Sequence, residues 1–324
     1  MPHAIRVHRP GGPEELVWEE VAVSDPGPGQ VLLRQTAVGL NYIDVYHRSG
    51  QYPQPGPFIP GVEGAGVVES VGADVDALKP GDRVAYAGPI GGYAEERLIA
   101  ADRLVRLPDD MSDEQAAAML LQGMTADMLI RSVWPLHAGD TILIHAAAGG
   151  VGLIACQWAS ALGATVIGTV SSDEKAELAS AHGCHHPIVY SRQDFVAEVD
   201  RLTGGKKLPV VFDSIGRETF LRSLDCLQKR GLMVSFGQAS GPIEPFAPRL
   251  LAQKGSLFLT RPTLFDYIAT RDELERSAAS LFEAVRTGKV KVDIGQRFPL
   301  SQAAEAHRAL EGRKTTGSTI LSIG

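Results

Sequence analysis

The amino-acid sequence predicts an α/β protein of two domains, a β-rich domain and a doubly wound parallel sheet. Three observations predict it. Residues 1 to about 110 break into short apolar runs separated by Gly, Pro and Asp, the pattern of strands and turns. Residues 141 to about 260 alternate strand-type and helix-type segments, which implies a parallel sheet with crossover helices. At the head of that alternation the stretch TILIHAAAGGVGLIACQWASAL, 141 to 162, reads as a strand, a glycine turn and a helix.

In the first domain the expected strands are Ala4 to Val7, Val17 to Val23, Gln30 to Val38, Gly64 to Val71, Arg83 to Ala87, Gly92 to Ile99 and Leu104 to Leu107, with no long helix among them. Ser112 then reads as a helix cap with Gln115 three residues on, opening helical periodicity through Ala116 to Leu121 and again through Thr125 to Val133. In the 141 to 162 stretch, Ala147, Gly149 and Gly152 fill the three small-residue positions of a dinucleotide fingerprint, with alanine in place of the first glycine. Small residues are needed there because the turn is tight, the backbone approaches a pyrophosphate and the helix packs on its strand. Val151, Ile154, Ala155, Trp158, Ala159 and Leu162 then mark one buried helix face. The alternation continues with strand Thr165 to Val170, helix Asp173 to His182, strand Pro187 to Tyr190, helix Gln193 to Thr203 and strand Val210 to Asp213. Helix Glu218 to Lys229, ended by Gly231, and strands Leu232 to Phe236 and Leu257 to Thr260 complete it. The remainder reads as helix Asp272 to Thr287, a strand near Arg297, helix Ser301 to Leu310 and strand Thr319 to Ile323, too little for a separate core and so expected to rejoin the first domain.

Composition narrows the function classes. The chain of 324 residues carries a formal charge of -7, which argues against nucleic acid or an anionic membrane as principal partner. Cys156, Cys184 and Cys226 are widely spaced except for the adjacent Cys184, His185 and His186, whose side chains alternate between faces of a strand, so neither a disulfide framework nor a zinc site is expected. No apolar run reaches the roughly 18 residues of a membrane span, and a cytoplasmic protein is expected.

Together the motifs HRPGGPEEL near the start, NYIDVYHRSGQYP (41 to 53), PGVEGAG (60 to 66), GDRVAY (81 to 86), HAAAGGVG (145 to 152), GLMVSFG (231 to 237) and GSLFLTRP (255 to 262) resemble the medium-chain dehydrogenase/reductase superfamily, and most of all its quinone oxidoreductase, zeta-crystallin-like branch. The resemblance implies a GroES-like catalytic domain, 1 to 124 and 264 to 324, split by a Rossmann dinucleotide-binding domain, 125 to 263. It also implies a homodimer, with the strand Leu257 to Thr260 a candidate for pairing with its copy in a partner. The alcohol dehydrogenase relatives place a cysteine where this chain has Asn41, and a histidine and glutamate where it has Val62 and Glu63; with the four-cysteine lobe also missing, a zinc-free enzyme is expected.

The choice of cofactor turns on the end of the second strand of the alternating run, where NAD sites carry an acid for the ribose hydroxyls. Here that end is Ser171 and Ser172, and Asp173 and Glu174 come later, at a helix start where acids are expected as cap and dipole partners. The resemblance implies that Ser171, Ser172, Lys175, Tyr190 and Arg313 surround a 2'-phosphate, which favours NADPH over NADH. It places Ala148, Gly149, Gly150, Val151 and Gly152 at the pyrophosphate, and Asn41, Tyr42, Ile43, Asp44, Tyr46, Thr125, Ser214, Phe236, Gly237 and Gln238 along the rest of the cofactor. Asn41, Tyr46 and Tyr52 are the expected catalytic groups, since tyrosines stack on a flat acceptor and offer a phenolic donor. Other readings of these residues stand beside this one: domain packing for Tyr46 and Tyr52, a turn brace for Asp44, an ion pair for Arg48 and a core position for His145. The expected reaction is NADPH-dependent reduction of quinones. The alternatives are reduction of activated carbon-carbon double bonds in enals or enones, and nucleotide binding with little turnover.

Overall fold

The computed structural model describes residues 1 to 324 as two units, Met1–Met124 with Ile268–Leu281 and Val292–Gly324, and Thr125–Tyr267 with Phe282–Lys291. The chain opens the first unit with the hairpin β1 (His3–Val7) and β2 (Leu16–Glu20). Next come β3 (Gln30–Leu40), helix α1 (Tyr42–Arg48), β4 (Glu63–Val71), β5 (Arg83–Ala87), β6 (Glu96–Ala100) and β7 (Val105–Arg106). Helix α2 (Asp113–Ala117) begins at the expected cap, where Ser112 Oγ accepts the Gln115 N–H at 3.1 Å. Helix α3 (Leu120–Asp127) bridges the two expected helical stretches and widens into a π-helical turn, Met128–Val133, that ends where the second was expected to end.

The second unit carries β8 (Thr141–Ile144), α4 (Gly150–Ala161), β9 (Thr165–Val170), α5 (Asp173–Ala181), β10 (His186–Val189), α6 (Phe195–Thr203), β11 (Leu208–Asp213), α7 (Phe220–Ser223), β12 (Leu227–Ser235), α8 (Arg249–Gln253), β13 (Phe258–Thr260) and α9 (Leu264–Tyr267). Its strands form one parallel sheet in the order β10-β9-β8-β11-β12-β13. The chain reverses direction of travel across the sheet between β8 and β11, and ligands of such sheets bind beyond the strand ends at that switch. The turn after β8 and Ser214 after β11 both occupy it.

After α10 (Arg271–Arg286), strand β14 (Ile294–Pro299), helix α11 (Ala303–Glu311) and strand β15 (Ser318–Ser322) complete the chain. β15 pairs antiparallel with β3, giving the first-unit sheet the order β14-β15-β3-β4-β5-β7, with β6 on β3. The C-terminal elements thus share a core with the hairpin: Ile5, Val7, Leu16, Val38, Leu40, Tyr93, Leu300, Ala303, Ala306 and Leu321 bury one cluster.

Two elements differ from the sequence reading. Residues 42 to 48 are helical although Tyr, Ile and Val dominate them, because Asp44 Oδ2 accepts the Asn41 N–H at 2.9 Å and closes the first turn. The expected helix 218 to 229 is reduced to α7 and a 3-10 turn, Leu224–Cys226, because Leu227 already pairs with Leu208 as the start of β12, and Gly231 lies inside that strand.

Candidate active site

The turn between β8 and α4 is built for close approach. Ala146 takes the left-handed conformation at φ 54°, one position before the first fingerprint residue, Ala147, where the sequence reading placed the tight turn. Gly152 has no room for a side chain: a Cβ there would lie 2.2 Å from the Ala146 carbonyl oxygen. The N-cap of α4 is Gly149, and no side chain caps it, so the first-turn amides of Gly150, Val151 and Gly152 have no capping side chain as a competitor. Uncapped amides at a helix start, joined to the positive dipole end, suit a pyrophosphate. His145 is a core residue: it is buried, bridges Thr169 Oγ1 at 2.8 Å and Ser223 Oγ at 2.9 Å, and burial lowers its pKa, so it is neutral.

At the end of β9, Ser172 Oγ caps α5 by accepting the Lys175 N–H at 3.4 Å, and the Ser171 carbonyl accepts Ser191 Oγ–H at 3.4 Å. Tyr190 is exposed beside them at the end of β10. The segment after β12 folds back on the segment after β11, with Ala239 N–H donating to the Ser214 carbonyl at 3.1 Å. Arg261, which the sequence reading did not single out, braces this loop by donating to the carbonyls of Ser235 at 3.0 Å and Gly237 at 2.8 Å. Phe236 and Gln238 flank those carbonyls, and Thr125 opens the unit on α3.

In the first unit, Asn41 is fixed at both ends of its amide. Gln122 Nε2 donates to Asn41 Oδ1 at 3.1 Å, and Gln122 Oε1 in turn accepts Ser318 Oγ–H at 2.7 Å, so Gln122 cannot rotate without losing both. Asn41 Nδ2 therefore points at Glu63, whose Oε2 accepts at 2.6 Å while Oε1 accepts the Leu121 N–H at 2.7 Å. Room for that carboxyl comes from Gly39, where a Cβ would lie 2.4 Å from Glu63 Oε2. Burial pushes Glu63 up to about 8 against those two donors. One Asn41 amide hydrogen is not used by this network.

The backbone of Asn41 is held by a second directed chain. Arg48, only 2 % exposed, forms a bidentate pair with Glu311 at 2.7 and 3.0 Å and donates to His307 Nδ1 at 3.0 Å. Burial, reinforced by Arg48, lowers His307 to about 3, so the ring is neutral and its proton sits on Nε2. Nε2–H donates to Tyr93 Oη at 3.0 Å, and Tyr93 Oη–H donates to Asp44 Oδ2 at 3.0 Å. Asp44 thus braces the turn and Arg48 is an ion-pair residue, while burial lifts Asp44 to about 7 and its Oδ1 has no protein partner. Tyr46, itself buried, packs between the half-buried Tyr42, at 5.6 Å between ring centres, and Tyr52, at 5.1 Å, with Ile43 part-buried on the same helix. Arg313 follows α11 at φ 58°, and its charge acts on the Tyr42 hydroxyl.

Comparison with known proteins fits this arrangement. The family model for the alcohol dehydrogenase GroES-like domain matches residues 27 to 109, and that for zinc-binding dehydrogenases matches residues 150 to 283. The quinone oxidoreductase of Pseudomonas aeruginosa is 53% identical over 313 residues, 96% of each chain. The crystal structure of the Escherichia coli quinone oxidoreductase complexed with NADPH superposes with a TM-score of 0.97 at 47% identity, over 99% of both chains. The chain belongs to the quinone oxidoreductase branch of the medium-chain dehydrogenase/reductase superfamily. Within the branch the relatives divide by acceptor: the 2-haloacrylate reductase of Burkholderia sp. is 47% identical over 97% of each chain.

Zinc, which the name of one matching family model implies, does not fit the residues present. The position of a zinc thiolate is held by the Asn41 amide, whose atoms are committed to Glu63 and Gln122. All three cysteines belong to the other unit and are buried, and nowhere do three His, Cys, Asp or Glu side chains gather as ligands.

Proposed function

We propose that this protein reduces quinones with NADPH, without zinc. The observation that carries the reading is the full-length likeness to an enzyme crystallised with NADPH, in a chain whose own phosphate turn is uncapped. Bound NADPH supplies the hydride. In the second unit Ala148 to Gly152 bind the pyrophosphate through backbone amides, Ser171, Ser172, Lys175 and Tyr190 receive the 2'-phosphate, and Ser214 with Phe236, Gly237 and Gln238 orients the nicotinamide half. In the first unit Asn41, Tyr42, Ile43, Asp44 and Tyr46 face the nicotinamide and acceptor, with Arg313 adding positive charge. Asn41 presents its remaining amide hydrogen, and Tyr46 and Tyr52 stack on a flat ring and donate a phenolic hydrogen bond. The acceptor oxygen takes its proton from solvent.

The likeness to the 2-haloacrylate reductase supports a second reading, reduction of an activated carbon-carbon double bond by the same residues. Steady-state oxidation of NADPH with 1,4-benzoquinone, an enone and 2-chloroacrylate separates the two. Turnover on the quinone far above the others is expected; turnover confined to the double-bond acceptors overturns the quinone reading.

The edge strand β13 leaves Phe258 61% and Leu259 38% exposed, which supports a homodimer joined along that edge. Light scattering at micromolar concentration is expected to give twice the chain mass, and a monomer refutes the dimer. No helix is long and apolar enough to cross a membrane, and the three unpaired cysteines accord with a reducing, cytoplasmic setting.

A further inference from the structure

The end of β9 holds an ion pair that the phosphate assignment leaves out. Asp173, the first residue of α5, accepts two hydrogen bonds from Arg192, Nη1 to Oδ2 at 2.6 Å and Nη2 to Oδ1 at 2.5 Å. Both side chains are more than half exposed, where an ion pair adds little to folding. Arg192 holds the Asp173 carboxyl below its ordinary range, so it is ionised at neutral pH. The neighbouring Ser191 is tied to Ser171 by its hydroxyl, which keeps this segment against the end of β9.

These contacts gather Asp173, Glu174, Lys175 and Arg192 at the strand end assigned above to the 2'-phosphate, with charges that sum to zero. Without Arg192 the sum is -1, and a phosphate dianion entering the site meets net repulsion. We infer that Arg192 is a specificity-determining residue, whose guanidinium neutralises Asp173 and thereby lets a strand end followed by acids accept a 2'-phosphate. Arg suits the role because its planar fork matches a carboxylate bidentately. The inference rests on the NADPH reading and adds to it a residue outside the proposed contact set.

Fluorescence titration of NADPH and NADH against wild type, Arg192→Ala, Asp173→Asn and the double variant tests it. Arg192→Ala is expected to weaken NADPH about tenfold while NADH shifts less than about twofold, since one uncompensated charge close to a dianion near the surface is worth about 1 to 2 kcal/mol. Asp173→Asn alone is expected not to weaken NADPH, and adding it to Arg192→Ala returns NADPH affinity to within about threefold of wild type. Unchanged NADPH affinity in Arg192→Ala, equal weakening of both nucleotides, or a double variant as weak as Arg192→Ala overturns the inference. Failure of the NADPH reading shows separately, as a wild-type protein that binds NADH as tightly as NADPH.

Discussion

Replacing Glu63 by Gln removes a titrating group while keeping its size, and the structure sets the expected consequence. An acid raised from its ordinary 4.5 to about 8 by burial binds its proton more tightly in the folded chain than in the unfolded one. Its contribution to stability is therefore fully present below pH 4.5 and is lost as pH rises to about 8, with the steepest loss near 1.4 kcal/mol per pH unit. Between pH 6 and pH 8 the wild-type protein should lose about 2 kcal/mol that Glu63→Gln does not lose. For a cooperative unit of about 150 to 250 residues this is a difference in Tm change of roughly 4 to 8 °C. The Gln side chain also meets a donor at each oxygen position, the Asn41 amide and the Leu121 N–H. Either orientation sets two donors face to face, at about 1 to 3 kcal/mol. That penalty is the same at every pH and drops out of the comparison. Thermal denaturation of both proteins at pH 6, 7, 8 and 9 is the assay. Parallel Tm profiles would refute a buried Glu63 titrating near 8.

Further substitutions probe other parts of the site. Lys175→Ala should weaken NADPH by about ten- to a hundredfold and NADH far less, measured by fluorescence titration; equal loss for both rejects the phosphate role. Tyr46→Phe should lower kcat on a small quinone with little change in NADPH affinity, and unchanged turnover removes its donor role. Arg48→Leu, which removes the bidentate pair with the part-exposed Glu311 and frees His307 from its directing donor, should destabilise by about 1 to 3 kcal/mol in denaturant unfolding; a change below about 0.5 kcal/mol would mean the pair is dispensable. Gly152→Ala should displace the turn after β8 and weaken both nucleotides alike, because the added Cβ meets backbone at 2.2 Å.

What the sequence makes legible here is local. The Ser112 cap, the small residues after β8 and the serine end of β9 are each encoded within a few residues, so periodicity and cap chemistry reach them, although the cap of α5 falls on Ser172 and not on the acids after it. The first turn of α1 was not legible as a helix, since Tyr, Ile and Val favour strands and the deciding contact is one side chain on one amide. The groups that hold Asn41 lie far away in the chain: Glu63 is 22 residues off and Gln122 is 81. Arg48 meets Glu311 across 263 residues, and nothing in either local sequence points to the other. Glu63 was legible only as a position where zinc enzymes keep a glutamate; its bond to the amide that replaces the thiolate needed the fold. Arg261 lay inside a quoted motif, yet its three-way grip on the loop after β12 follows only from β13 pairing beside β12.

The central claim is zinc-independent transfer of reducing equivalents from NADPH to a quinone at Asn41 and its tyrosine neighbours. The most direct measurement is the initial rate of NADPH oxidation with 1,4-benzoquinone, after exhaustive dialysis against a chelator and with metal content measured on the same sample. Full quinone-dependent turnover with substoichiometric zinc is the expected result; an inactive dialysed protein whose turnover returns on adding zinc would contradict it.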